Sequence, residues 1–293
     1  MNISYRIQSE LSEDQIEADV ASYLGYITPF WSRRFQLNAV DEQLTGADKL
    51  FKNFKPIYLQ FKVSEGLKNL PRGFQLLSPN RDLQSIRVFR RREELSRNPT
   101  LYFRLRNKAK TANDFQHNIL LSLHNPPIQY ALYVAPLSLT IEEYNKSLKQ
   151  SFLERLFIID PFDYRPIGIT SSIRKRYLGL NPFLRGHISI PPHEVITTSN
   201  HYYSYSKSGS DLAWHSGESL KGDFRLSSQL EKIFYESYEF GDGFNMEKYS
   251  MFIKENFKEF NKDQPYEQTI YDFANFLKTE YDIKLLFLNT NGK

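Results

Sequence analysis

The chain has 293 residues, 40% of them hydrophobic and 25% charged, which supports a real core and excludes a disordered or fibrous protein. It has no cysteine, so disulfides and thiolate metal sites are excluded; any metal must take oxygen or imidazole ligands, which favours a hard cation such as Mg²⁺. Net charge is only +4, and neither a membrane-length apolar run nor a signal-peptide core is present, so a soluble, cytoplasmic protein with no membrane partner is expected.

In chain order, Ser12 to Leu24 reads as a helix. Ser12 and Gln15 have capping-box spacing, Ile16, Val20, Tyr23 and Leu24 form an apolar stripe, and Gly25 is expected to end it. The segment 35–40 is expected to supply a first strand, followed by TGADKLF (residues 45–51) and IYLQFKV (residues 57–63). In the latter, Ile57, Leu59, Phe61 and Val63 alternate with Tyr58, Gln60 and Lys62, as in a strand. The two runs are expected to form a hairpin through Phe54-Lys55-Pro56, pairing Asn53 with Ile57 and Asp48 with Lys62.

An irregular stretch leads into a basic strip. Residues 81–110 hold ten Lys or Arg and three Asp or Glu, so the strip is 10 − 3 = +7 and the rest of the chain 4 − 7 = −3. Such a strip is the footprint of a polyanion-binding surface. Arg104 and Arg106 alternate with apolar residues in the expected strand LYFRLR and are phosphate-contact candidates, as are Arg90, Arg91 and Arg92, although Glu93 and Glu94 partly neutralise those three. A helix is expected over 112–124, then a strand buried on both faces in QYALYVAP. Further on, the pattern predicts helices over 140–156, 226–240 and 266–281, a short strand in FIID and a β-rich segment over 188–205. His201, His215 and Glu218 match no metal-ligand spacing and are expected in a flexible polar loop.

Residues two apart in a strand share a face, so Gln60 and Lys62 project together, and the hairpin returns them to Asp48. An acid and an amide oxygen suit a divalent cation, and a lysine suits a phosphate or an attacking water. The implied chemistry is phosphodiester hydrolysis.

With Asp48, an eleven-residue spacer and Gln60-Phe61-Lys62, residues 10 to 135 resemble the PD-(D/E)XK nuclease superfamily, and GAD followed by QFK is similar to its Mrr-type restriction endonuclease and Holliday-junction-resolvase-like branches. The resemblance implies an α/β fold: a restriction-endonuclease-like αβββαβ core, with a mixed central sheet flanked by helices and a C-terminal α+β elaboration. It implies a core over 1–165 with a basic insertion at about 64–111, and an accessory region over 166–293. It also implies a metal-dependent endonuclease acting on nucleic acid, DNA in the first place, using Mg²⁺ or Mn²⁺. Glu17 is the implied third metal ligand from the N-terminal helix, with Glu13, one turn earlier, as the fallback; Gln116 and His117 fall where such proteins keep polar residues near the site.

Gln60 stands where the family pattern has an acid, which leaves open a catalytically inactive relative that binds nucleic acid or serves in a larger complex. An enzyme acting on small phosphate compounds would need a closed pocket instead. A second copy of the chain and a partner protein are both left open as further contacts.

Overall fold

Two strands without a polar face set the architecture. Every position of β3 (Phe54–Phe61) and of β6 (Tyr130–Pro136) is buried, a pattern that requires a layer on each side of their sheet. The computed structural model describes residues 5–27, 37–39, 53–70, 81–97, 99–110, 112–158, 182–215, 217–239, 243–260 and 263–289. Over these residues the chain is an α/β protein with two sheets.

One sheet is mixed. β3 and β6 run parallel at its centre; β7 (His187–Ile190) flanks β6 antiparallel, and β11 (Lys284–Asn289) lies antiparallel between β3 and β2 (Leu37–Ala39). The other sheet is antiparallel, in the order β1 (Arg6–Ile7), β4 (Glu65–Leu67), β5 (Thr100–Arg104), β8 (Tyr202–Ser206), β9 (Asp211–Trp214), β10 (Glu218–Lys221).

Strand parity divides the core into layers. Ile57, Leu59 and Phe61 of β3, with Leu286 and Leu288 of β11, meet the apolar stripe of α1 (Glu13–Ile27), Tyr144 of α4 (Ile141–Ile158), Phe183 of α5 (Pro182–Arg185) and Leu226 of α6 (Leu226–Glu239). Tyr58, Tyr133, Leu285 and Phe287 point the other way. They pack against Phe103, Tyr203, Tyr205 and Trp214 of the antiparallel sheet and against α3 (Gln116–Ser122), α7 (Met246–Asn256) and α8 (Tyr266–Tyr281). The antiparallel sheet's outer face is covered by α2 (Arg81–Arg92), whose Ile86 packs on Leu67, Tyr102 and Tyr202.

Several expectations are corrected here. The hairpin expected between residues 48 and 63 is not the pairing of β3, because Ile57, Tyr58 and Leu59 have β11 on one side and β6 on the other, leaving no edge for a preceding strand at 57–59. Each sheet takes strands from both sides of residue 165; β3 and β6 need cover on two faces, and the second half of the chain supplies part of it. The residues expected to form a polar loop instead build the β8–β10 meander, with His215 following β9 and Glu218 opening β10. Phe157 and Ile158 finish α4 rather than opening a strand, and the remainder of FIID lies outside the described residues. Gly25 lies inside α1, which continues to Ile27. No described helix is long and apolar enough to cross a membrane.

Candidate active site

The candidate site lies where β3 leaves its sheet. The ladder runs one residue past the strand, through the Lys62 N–H donating to the Val134 carbonyl at 2.8 Å, so Gln60 and Lys62 keep the same face. Gln60 is fully buried. Its amide nitrogen donates to the Phe61 carbonyl at 3.1 Å, while Oε1 has no hydrogen-bond partner. A buried amide oxygen without a donor costs roughly 1–3 kcal/mol unless something meets it, and a divalent cation is one such partner.

Lys62 is 4% exposed. Desolvation lowers its pKa from the ordinary 10.5, opposed by the carboxylates of Glu13 and Asp282 and reinforced by the charge of Arg106. The Glu13 carboxylate approaches the ammonium at 3.6 Å.

α1 places Glu13 there. Ser12 caps the helix by accepting from the Gln15 N–H at 3.2 Å, but the Gln15 side chain donates to Asp19 rather than back to the cap, so only half of the capping box forms. With the apolar stripe of α1 fixed against β3, Glu13 and Glu17 occupy one flank, one turn apart. Glu13 reaches Lys62; Glu17 does not. Glu17 accepts from Lys278 at 2.6 Å and pairs with Lys284 at 3.7 Å.

Lys278 also donates to Asp282 at 2.6 Å, where α8 ends in a left-handed residue (φ 53°) that an aspartate tolerates better than most side chains. One end of the mixed sheet thus gathers Glu13, Glu17 and Asp282 with Lys62, Lys278, Lys284 and Arg106. Three carboxylates against four cations leave a net 4 − 3 = +1, an environment suited to a phosphate. Lys278, Asp282 and Lys284 were not among the sequence candidates; they lie more than 200 residues from Lys62 along the chain, and the one local signal was the apolar LLFL run that follows them.

The remaining candidates separate. Asp48 lies outside the described residues. Gln116 turns away from a metal role by donating its amide to the Tyr281 carbonyl. His117 bonds Tyr133 at 2.9 Å and the Glu194 carbonyl at 3.1 Å, buried between rings, with its pKa lowered by desolvation to about 4. Arg90 is corrected as a phosphate contact: it is 0% exposed and ion-paired with Asp211, because α2 packs it onto the antiparallel sheet. Arg91, Arg92, Arg104 and Arg106 are exposed. Arg92 pairs with Glu93 at 2.8 Å, and Arg104 donates to Asn200 at 2.7 Å with its guanidinium 5.7 Å from the Tyr202 ring centre.

Among the described residues no group of three or more His, Asp or Glu side chains forms a metal shell. The Gln60 oxygen and the Glu13 carboxylate fit a hard cation as partial donors, whereas Glu17 is occupied by two lysines. Comparison with family models, curated proteins and solved structures finds no match to this chain.

Proposed function

We propose that the chain is a metal-dependent phosphodiesterase acting on nucleic acid, DNA in the first place, with a site like that of the PD-(D/E)XK nucleases. The observation that carries this reading is the pair on one face at the end of β3: a buried Gln60 oxygen with no partner, two residues from a buried lysine held by a carboxylate of α1. Asp48, Gln60 and Glu13 would hold Mg²⁺ or Mn²⁺, with Glu13 taking the place expected of Glu17. The cation, when bound, supplies Lewis-acid polarisation of a phosphoryl oxygen and lowers the pKa of a bound water. Lys62, whose ammonium desolvation destabilises, would take the attacking water's proton as the neutral amine and, once protonated, stabilise the charge on the phosphate. Arg106 adds positive charge on the same side.

The test is cleavage of supercoiled, linear and branched DNA with and without Mg²⁺ by the full chain and by Lys62→Ala. Metal-dependent cleavage in the first and at least about a hundredfold less in the second is expected, the usual worth of a positioned acid–base group. Equal cleavage by both removes Lys62 from the chemistry.

A second reading is favoured by one observation: Glu17 is neutralised by Lys278 and Lys284, and Gln60 brings no charge, so the cation would gain little from either. In that case the chain binds nucleic acid without cleaving it.

A further inference from the structure

A pocket reaches Tyr281, the residue before Asp282. α3, α7 and α8 flank this half-open pocket of about 320 Å³, within the range of small-ligand sites. Its lining includes four rings, Phe252, Phe257, Phe276 and Tyr281. Phe257 and Tyr281 are buried, while Phe252 and Phe276 are half-buried.

The polar lining is specific in its hydrogen-bonding sense. Asn256 donates its amide NH₂ to the Phe252 carbonyl at 2.8 Å, and Asn113 donates its own to the Glu259 carboxylate at 2.9 Å. Each acceptor fixes which end of the amide is nitrogen, so both asparagines keep their carbonyl oxygens as acceptors. Lys258, exposed, adds a cation to the same lining, and Glu259, the acceptor of the Asn113 amide, adds a carboxylate. The rings and acceptor oxygens describe a flat heteroaromatic ligand that carries an amino group, and Lys258, beside a carboxylate that Asn113 already holds, is the cation an anionic substituent would meet.

We propose that this pocket binds a nucleobase bearing an exocyclic amino group, with Lys258 meeting the attached phosphate. The rings supply stacking that any base accepts, and the acceptor oxygens discriminate. Adenine, cytosine and guanine offer a two-hydrogen amino donor; uracil and thymine have none, and their one ring N3–H lies between two carbonyls that those oxygens would also meet.

Its position connects it to the candidate active site. Tyr281 lines the pocket, the Gln116 amide holds the Tyr281 carbonyl, and the next residue, Asp282, acts on Lys62. A base unstacked from a strand and held here would lie next to the positive cluster. That connection to strand cleavage rests on the phosphodiesterase reading; the pocket's own ligand does not.

The experiment is therefore a binding titration of the full chain carrying Lys62→Ala, without metal, using AMP, UMP and ribose 5-phosphate as probes. AMP is expected to bind, UMP about tenfold or more weakly, and ribose 5-phosphate not measurably. Ser122 is exposed in the pocket lining. Ser122→Trp should fill the space and abolish AMP binding, while Ser122→Ala binds as the parent does. A deoxyadenosine oligonucleotide forms the second arm: binding about tenfold tighter than AMP assigns the base to a strand, and equal binding assigns it to a free nucleotide. No AMP binding, AMP and UMP alike, or AMP binding that survives Ser122→Trp overturns the proposal, whatever the cleavage assay gives.

Discussion

Lys62 has two opposed obligations, and the balance between them is measurable. Burial disfavours its charge, and Glu13 and Asp282 compensate incompletely, so its folded pKa falls below the ordinary 10.5. Between those two values the unfolded chain binds more protons than the folded one, and stability attributable to this residue rises with pH. Lys62→Met keeps much of the volume and removes the charge. At pH 7 the variant is expected to be at least as stable as the parent in urea, its advantage shrinking as pH approaches 10.5, while cleavage is lost. A variant clearly less stable at pH 7 would mean that the Glu13 pairing outweighs desolvation. The two acids of α1 give a companion contrast. Glu13→Gln should lower cleavage with little change in stability, because Glu13 is 39% exposed at the side chain and, among the described residues, pairs with Lys62 alone. Glu17→Gln should lower stability by about 1 kcal/mol, because it breaks contacts to two lysines at a half-buried position. Equal effects of the two substitutions on cleavage would restore Glu17 as a ligand.

Among the elements, β11 bears on the site most. It occupies the flank of β3 where the sequence placed a hairpin partner, and its alternation feeds both layers: Leu286 and Leu288 toward α1, Leu285 and Phe287 toward the antiparallel sheet. Phe287 is 1% exposed and packs on Phe54 at 4.2 Å between ring centres, the rings tilted by 37°. Phe287→Ala should cost about 3–5 kcal/mol, read as a lower urea midpoint, and it should depress cleavage through β3 rather than through chemistry. A cost below about 1 kcal/mol would show that β11 is dispensable to the sheet. The same strand marks where sequence reasoning stopped. Periodicity located α8 at the observed bounds, and an unbroken apolar run identified β6, because those signals are local. The partner of β3 is not local. β11 begins more than 220 residues after β3, and an alternating strand at residues 57–63 reads identically whether its neighbour is a hairpin or the end of the chain. Gln60 and Lys62 were legible as a same-face pair because parity is intrinsic to a strand. That Glu13 faces Lys62 while Glu17 is taken by lysines depended on where α8 ends, which no motif encodes.

At the scale of the whole molecule, the layers share a vulnerability to acid. His117 lies between the two sheets, His187 lies on β7 against Phe183 and Tyr144, and His215 follows β9 under α2, where its ring meets Phe89. Desolvation lowers each from the ordinary 6.5 to about 4; the Arg90 charge adds to the effect at His215, while hydrogen bonds to backbone carbonyls oppose it at His117 and His187. His187 has one ring nitrogen bonded to the Phe183 carbonyl at 2.8 Å and the other buried without a partner, so protonation there finds no acceptor. The sign follows from proton counting. Between pH 6.5 and 4 the unfolded chain holds protons on these rings that the folded chain refuses, so stability is complete above 6.5 and is lost as pH falls through the window. Each ring contributes up to about 1.4 kcal/mol per pH unit, and three together up to about 4 kcal/mol per pH unit, enough to consume the stability of an ordinary domain within a few units. Urea midpoints from pH 8 to pH 4.5 should be flat above 6.5 and fall steeply below it. His187→Leu removes one titrating ring and should reduce the slope by less than a third without shifting the onset, since His117 and His215 belong to different layers and His124 and His193, also lowered by desolvation, add to the slope. Midpoints that stay level down to pH 4.5 would mean that these rings accept protons in the folded state; the layers would then have to open around them without unfolding, which the close packing of His117 against Tyr133 and Trp214 argues against.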